Sequence, residues 1–90
     1  MALMIINADD FGYGNGINHG IIESHRNGIL TSTTMMANMP GFDHAKAFAK
    51  ENPNLGIGVH LVLTCGAPLR TDVPSLVNEK GNFHHLSFYE

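Results

Sequence analysis

The chain has 90 residues, an apolar fraction of 43%, a charged fraction of 14% and a formal net charge of −3. That length holds at most one small domain, and the apolar content points to a core rather than a disordered segment. Five Lys and Arg residues without a cluster argue against nucleic-acid binding, which needs a basic face. No apolar run approaches the roughly 20 residues of a membrane-spanning helix, so no membrane partner is expected. The single Cys65 excludes an internal disulfide and fits a reducing cytoplasm. Met1–Ala8 has no basic flank and runs directly into acids, which is not the pattern of a signal peptide.

Residues 3–8, with the apolar run Leu3-Met4-Ile5-Ile6, read as a short buried first strand. A glycine-rich loop, Gly12-Tyr13-Gly14-Asn15-Gly16, follows it. Residues 17–27 then read as a helix, with Ile17, Ile21, Ile22 and Ser24 on one stripe and Asn27-Gly28 as the stop. Gly20 inside that helix suggests close packing. Residues 32–37 are β-branched and short, as a buried parallel strand would be. Phe42, Ala45, Phe48 and Ala49 recur at helical spacing over 42–51, and Asn52-Pro53-Asn54 ends that helix.

Residues 55–62 form the third predicted strand. Period two puts Leu55, Ile57, Val59 and Leu61 on one face, and Gly56, Gly58 and His60 on the other. The second face is bare until the imidazole, which leaves room beside it. The last 28 residues are irregular, with a hairpin expected around Gly81-Asn82 and a helix start at Ser87–Glu90. Loops of this length are often substrate-binding segments or lids. The order is β-α-β-α-β-loop, and right-handed crossovers make the sheet parallel. The fold class is α/β, the opening of a larger structure whose complete barrel form needs about 250 residues.

Asp9, Asp10 and His60 are the residues most suited to chemistry. All three fall at C-terminal strand ends, the edge where ligands bind in parallel sheets. Adjacent ionised acids repel each other, and a cation there removes the repulsion. A carboxylate and an imidazole suit Mg²⁺, Mn²⁺ or Zn²⁺, but two ligands are too few. His84 and His85 are the other candidates in reach of the sequence, in the irregular tail. The bland alternatives are that the acids cap the next helix and that His60 is a core histidine. His19, His25 and His44 are expected at the surface.

A dinucleotide-binding loop fails in detail. Gly12, Gly14 and Gly16 give G-x-G-x-G, and Ile17 stands where the third glycine of the motif belongs. A noncatalytic, Mg²⁺-binding receiver-like signalling module is the alternative function. It shares the acidic pair, but His60 stands where its phosphorylated aspartate should end strand three.

At Asn7-Ala8-Asp9-Asp10-Phe11-Gly12, at Thr31 to Pro40, and at Gly56-Ile57-Gly58-Val59-His60-Leu61, the chain resembles the YdjC-like carbohydrate deacetylases, which include the chitooligosaccharide deacetylases. The resemblance runs along nearly all of the chain. It implies a distorted TIM-like (β/α) barrel and a divalent metal, Mg²⁺ or Zn²⁺. It implies removal of acetyl groups from amino sugars or their oligosaccharides. By motif position Asp10 and His60 correspond to metal ligands, and Asp9 to the catalytic base. The family's third ligand, a second histidine, falls beyond residue 90, so residues 1–90 are expected to be the N-terminal part of one barrel domain, inactive alone. An uncovered sheet edge and helix faces lead to an expected homo-oligomer or marginal stability.

Overall fold

The computed structural model describes residues 2–84. Three strands and two helices alternate in it: β1 (Asn7–Phe11), α1 (Asn15–Arg26), β2 (Ser32–Met35), α2 (Phe42–Glu51) and β3 (Gly56–Val59). The strands form one parallel sheet in the order β1-β2-β3. The α/β class and the βαβαβ order therefore agree with the sequence.

The first strand starts later than its apolar run. Leu3, Met4 and Ile5 are exposed, and β1 begins only at Asn7. A strand exists where a partner supplies its ladder. Here β2 starts pairing at Asn7↔Ser32, and the amides of Thr31 and Ser32 reach back to the Ile6 carbonyl at 3.0 and 3.2 Å. Upstream of Ile6 no strand continues the pairing. Asp9 and Asp10 consequently lie inside β1, not after it.

The register between β1 and β2 slips between Ala8 and Phe11. A bulge of this kind places two residues of one strand against one of the other. Asp10 lies in it with φ of 72°, the left-handed region that costs a non-glycine residue roughly 1–3 kcal/mol. Gly12 follows at φ of 97°, and the Tyr13 amide closes a turn onto the Asp10 carbonyl at 3.1 Å.

The helices cover one face of the sheet. The core is Phe11, Ile21, Ile22, Leu30, Ala45 and Leu55, with Ile6, Ala8, Met35 and Phe48 packed against it. Phe11 is fully buried, and its loss to alanine should cost about 3–5 kcal/mol. The buried stripe of α1 is Asn18, Ile21 and Ile22. Ile17 is exposed, so the apolar stripe expected from the sequence is rotated by one position. A Cβ added at Gly20 would meet open space, so this glycine does not mark close packing.

β3 is less covered than its pattern implied. Leu55 is buried, but Val59 is 76% and Leu61 86% exposed. α1 packs on β1 and against α2, which leaves Val59 exposed at the end of β3. The strand also stops at Val59, because its partner β2 ends at the register pair Met35↔Val59.

The segment after β3 is irregular but tied down. Asn38 donates from Nδ2 to the carbonyls of Cys65 and Ala67, at 3.0 and 3.1 Å. A 3₁₀ turn, Pro74–Leu76, leads into an antiparallel bridge, Val77↔Phe83. The Asn78 amide bonds to the Asn82 carbonyl at 2.8 Å. The hairpin predicted at Gly81-Asn82 is therefore present. Both His85 and the helix start expected at Ser87–Glu90 lie outside the described residues. Among the described residues, no helix is long and apolar enough to cross a membrane.

Candidate active site

The face of the sheet away from the helices carries a row of polar and bare positions. Ser32 and Thr34 stand beside Gly56 and Gly58 in register. A Cβ added at those glycines would come to 3.6 Å from the Ser32 Cβ and 3.8 Å from the Thr34 Cγ2. The side chain of Asn7 joins this row through Ser32, whose Oγ donates to Asn7 Oδ1 at 2.8 Å. Gly56 and Gly58 are both exposed on this face.

Asp9 accepts two hydrogen bonds on one oxygen. Asn7 Nδ2 and Thr34 Oγ1 each donate to Asp9 Oδ1 at 3.0 Å. Asp10 reaches the other way along the sheet, and its Oδ1 lies 3.0 Å from His60 Nε2. In an unbroken strand, neighbouring side chains point to opposite faces. The bulge at Asp10 breaks that alternation, so consecutive acids contact Thr34 and His60, which belong to the same row. Neither acid caps α1, whose N-cap is Gly14 with no side-chain cap bond. The capping alternative is excluded.

His60 has a definite tautomer. Its Nδ1 lies 3.1 Å from the Leu61 carbonyl. A carbonyl only accepts, so Nδ1 carries the proton, and in the neutral ring Nε2 presents a lone pair to Asp10. A lone pair and a carboxylate oxygen 3.0 Å apart need a positive charge between or upon them. A proton on Nε2 meets that need, and so does a divalent cation. Two ligand atoms each about 2.0–2.2 Å from one ion stand roughly 3 Å apart, and a ligating histidine usually donates its other N–H to a carbonyl or carboxylate. The pair thus fits two positions of a metal site. Among the described residues no group of three His, Cys, Asp or Glu side chains converges. His84 lies by the Val77–Lys80 turn and does not join the set.

Asn18 is the residue that sequence reasoning missed. It is fully buried. Its Oδ1 accepts from the Gly12 amide at 2.7 Å, and its Nδ2 donates to the Gly41 carbonyl at 2.9 Å. The same nitrogen lies 3.2 Å from His44 Nδ1, so that ring nitrogen accepts and the proton sits on Nε2. One amide thus ties the turn after Asp10 to the start of α2. The backbones cross so closely that a Cβ on Gly41 would lie 2.8 Å from the Gly14 nitrogen. The signal available in the sequence was an asparagine three and four positions before Ile21 and Ile22, inside a buried stripe. His44 is half-buried rather than at the surface, and its ring packs edge-on to His19 and Phe48 at 4.9 and 4.7 Å. His25 is also partly buried and donates from Nδ1 to the Leu30 carbonyl at 2.9 Å. His19 is exposed, as expected.

Beside His60 lies a cleft of about 270 Å³, bounded by Asn38, Leu61, Leu63, Leu69, Val73 and Phe83 among others. Its walls are mainly apolar. Arg70 also lines it, but that guanidinium is engaged by Asp72 at 2.8 and 2.6 Å.

Asp10 and His60 thus meet at the C-terminal edge of an open parallel α/β sheet, the edge where ligands bind in such folds. The chain belongs to the YdjC-like protein family, whose sequence profile matches residues 3–90. Among curated proteins it is 60% identical over 80 residues to a carbohydrate deacetylase of Brevibacillus brevis, covering 89% of this chain and 32% of that protein. It is 62% identical over 79 residues to a carbohydrate deacetylase of Geobacillus stearothermophilus, covering 88% and 32%. It is 54% identical over 74 residues to a chitooligosaccharide deacetylase of Proteus mirabilis, covering 82% and 29%. The chain thus spans about a third of the length of these relatives. A crystal structure from Enterococcus faecalis V583, described as that of a proposed cellobiose-phosphate cleavage protein, superposes with a TM-score of 0.85 at 47% identity. That match covers 94% of this chain and 34% of that one.

Proposed function

We propose that this protein is a metal-dependent carbohydrate deacetylase, which hydrolyses the acetamide of N-acetylated amino sugars or their oligosaccharides. The observation that carries this reading is the Asp10–His60 pair at 3.0 Å, with Asp9 next in sequence and an apolar cleft adjoining His60. The names of the deacetylase relatives support the substrate class. The three strands are read as the opening of a distorted (β/α) barrel, with residues 1–90 as its N-terminal part and the chemistry at the C-terminal strand ends.

Asp10 and His60 would hold the ion, with Mg²⁺ as the first choice and Zn²⁺ as the second. When bound, such an ion polarises a carbonyl and makes a nearby water more acidic. Asp9 takes the proton of the attacking water as general base. Its Oδ1 is engaged by Asn7 and Thr34, and among the described residues no donor reaches the other oxygen, which is left for that transfer. Amide hydrolysis also requires a general acid to protonate the leaving amine, and the described residues offer none beside the pair. The cleft beside His60 would take the acetyl methyl and the apolar face of the sugar ring. The free thiol of Cys65 suits a cytoplasmic setting.

The test is acetate release from N-acetylglucosamine and chitooligosaccharides by the full-length protein, before and after chelation and re-addition of Mg²⁺ or Zn²⁺. Release that is lost on chelation and restored by one of the ions is the expected result. No release from any acetylated amino sugar tested would sink the reading.

A further inference from the structure

We propose that Thr34 and Asn7 are positioning residues for Asp9, and that they select which of its two carboxylate oxygens receives the proton. This assignment rests on the deacetylase reading above. The residues form a directed chain of hydrogen bonds across β1 and β2. Ser32 Oγ donates to Asn7 Oδ1 at 2.8 Å. The ionised Asp9 carboxylate only accepts, so it fixes the orientation of the Asn7 amide, with Nδ2 toward Asp9 and Oδ1 left for the Ser32 hydroxyl. Asn7 Nδ2 is thereby turned to Asp9 Oδ1 at 3.0 Å. Thr34 Oγ1 donates to the same oxygen at 3.0 Å. Among the described residues no donor reaches Asp9 Oδ2.

Two donors on one oxygen stop the carboxylate from rotating about its terminal bond. They also leave one oxygen, Oδ2, with its lone pairs free. A general base works when its accepting atom is held within hydrogen-bond reach of the proton it removes, and small misplacements are costly. Thr34 is the stronger of the two supports. It comes from the neighbouring strand, 25 positions away, so it references Asp9 to the sheet rather than to its own strand. Gly58, its register partner, places no side chain beside it, so the hydroxyl meets Asp9 without competition from β3.

The experiment compares Thr34→Val and Thr34→Ser in the full-length protein, with kcat and KM for acetate release and a thermal melt for each. Thr34→Val keeps the shape and removes the donor. It should lower kcat by about tenfold, with KM changed less than about twofold, in line with the loss of one hydrogen bond to a charged group. Thr34→Ser restores the donor and should recover most of that loss. Should Thr34→Val fail to fold, Asn7→Ala removes the other donor and should show the same split. Wild-type kcat in a folded Thr34→Val, or equal losses in the valine and serine variants, would overturn the assignment while leaving the deacetylase intact. Absence of acetate release by the wild type would remove both.

Discussion

Asp10 Oδ1 and His60 Nε2 meet at 3.0 Å, although β1 and β3 are not neighbours in the sheet. Two strand spacings, about 10 Å, separate their backbones in a parallel sheet. The contact closes over the end of β2, where the His60 amide bonds to the Met35 carbonyl at 3.0 Å. On the other side, the bulge at Asp10, with φ of 72°, turns its carboxylate toward that edge.

Removing either member should weaken divalent-cation binding. Asp10→Asn or His60→Ala should weaken Mn²⁺ or Zn²⁺ binding by at least about tenfold, since even outer partners of metal ligands are worth that much. Isothermal titration of the folded variants checks this. Unchanged affinity in both would mean that the pair is an ion pair alone.

Asp9 should behave differently. Asp9→Asn should leave cation affinity near wild type and lower kcat by about 10²–10⁴, the range for loss of a general base. Steady-state kinetics beside the same titration separates the two roles. A loss of cation affinity equal to that of Asp10→Asn would make Asp9 a ligand.

Asn18→Leu should destabilise the fold by about 1–3 kcal/mol, because it leaves the buried Gly12 amide without its acceptor at 2.7 Å. Gly12→Ala should cost a similar amount, about 1–3 kcal/mol, since a Cβ there lies 2.9 Å from the Met36 carbonyl oxygen at φ of +97°. Denaturant melts read both. Changes below about 0.5 kcal/mol would show that the turn after Asp10 does not depend on them.

The Arg70–Asp72 pair gives a pH signature. The Arg70 side chain, and secondarily a backbone hydrogen bond, hold the Asp72 carboxyl below its ordinary pKa. A folded-state pKa that is lowered contributes stability above the unfolded value, and that contribution is lost as pH falls through the folded one. The pair is exposed, so the effect is read by carboxyl NMR titration rather than by melting. Asp72 should titrate below a free aspartate in the wild type and return toward it in Arg70→Ala. No change on that substitution would mean that the ion pair does not form in solution.

The sequence by itself determined the element types, the parallel order and the choice of Asp9, Asp10 and His60 as the candidate residues. Period-two and helical spacings are local properties, and they survive in β3's bare glycine face and in the helix over 42–51. It also determined the family, because three motifs occur in fixed order. Only the tertiary structure decided where β1 begins, because a ladder needs its partner and Leu3–Ile5 have none. It alone decided that Asp9 and Asp10 serve one face, because a bulge is a mismatch between two strands and cannot be seen in either. The role of Asn18 was hidden for the same reason. Its amide is satisfied by Gly12 and Gly41, six and 23 positions away, and only packing brings those two backbone groups together.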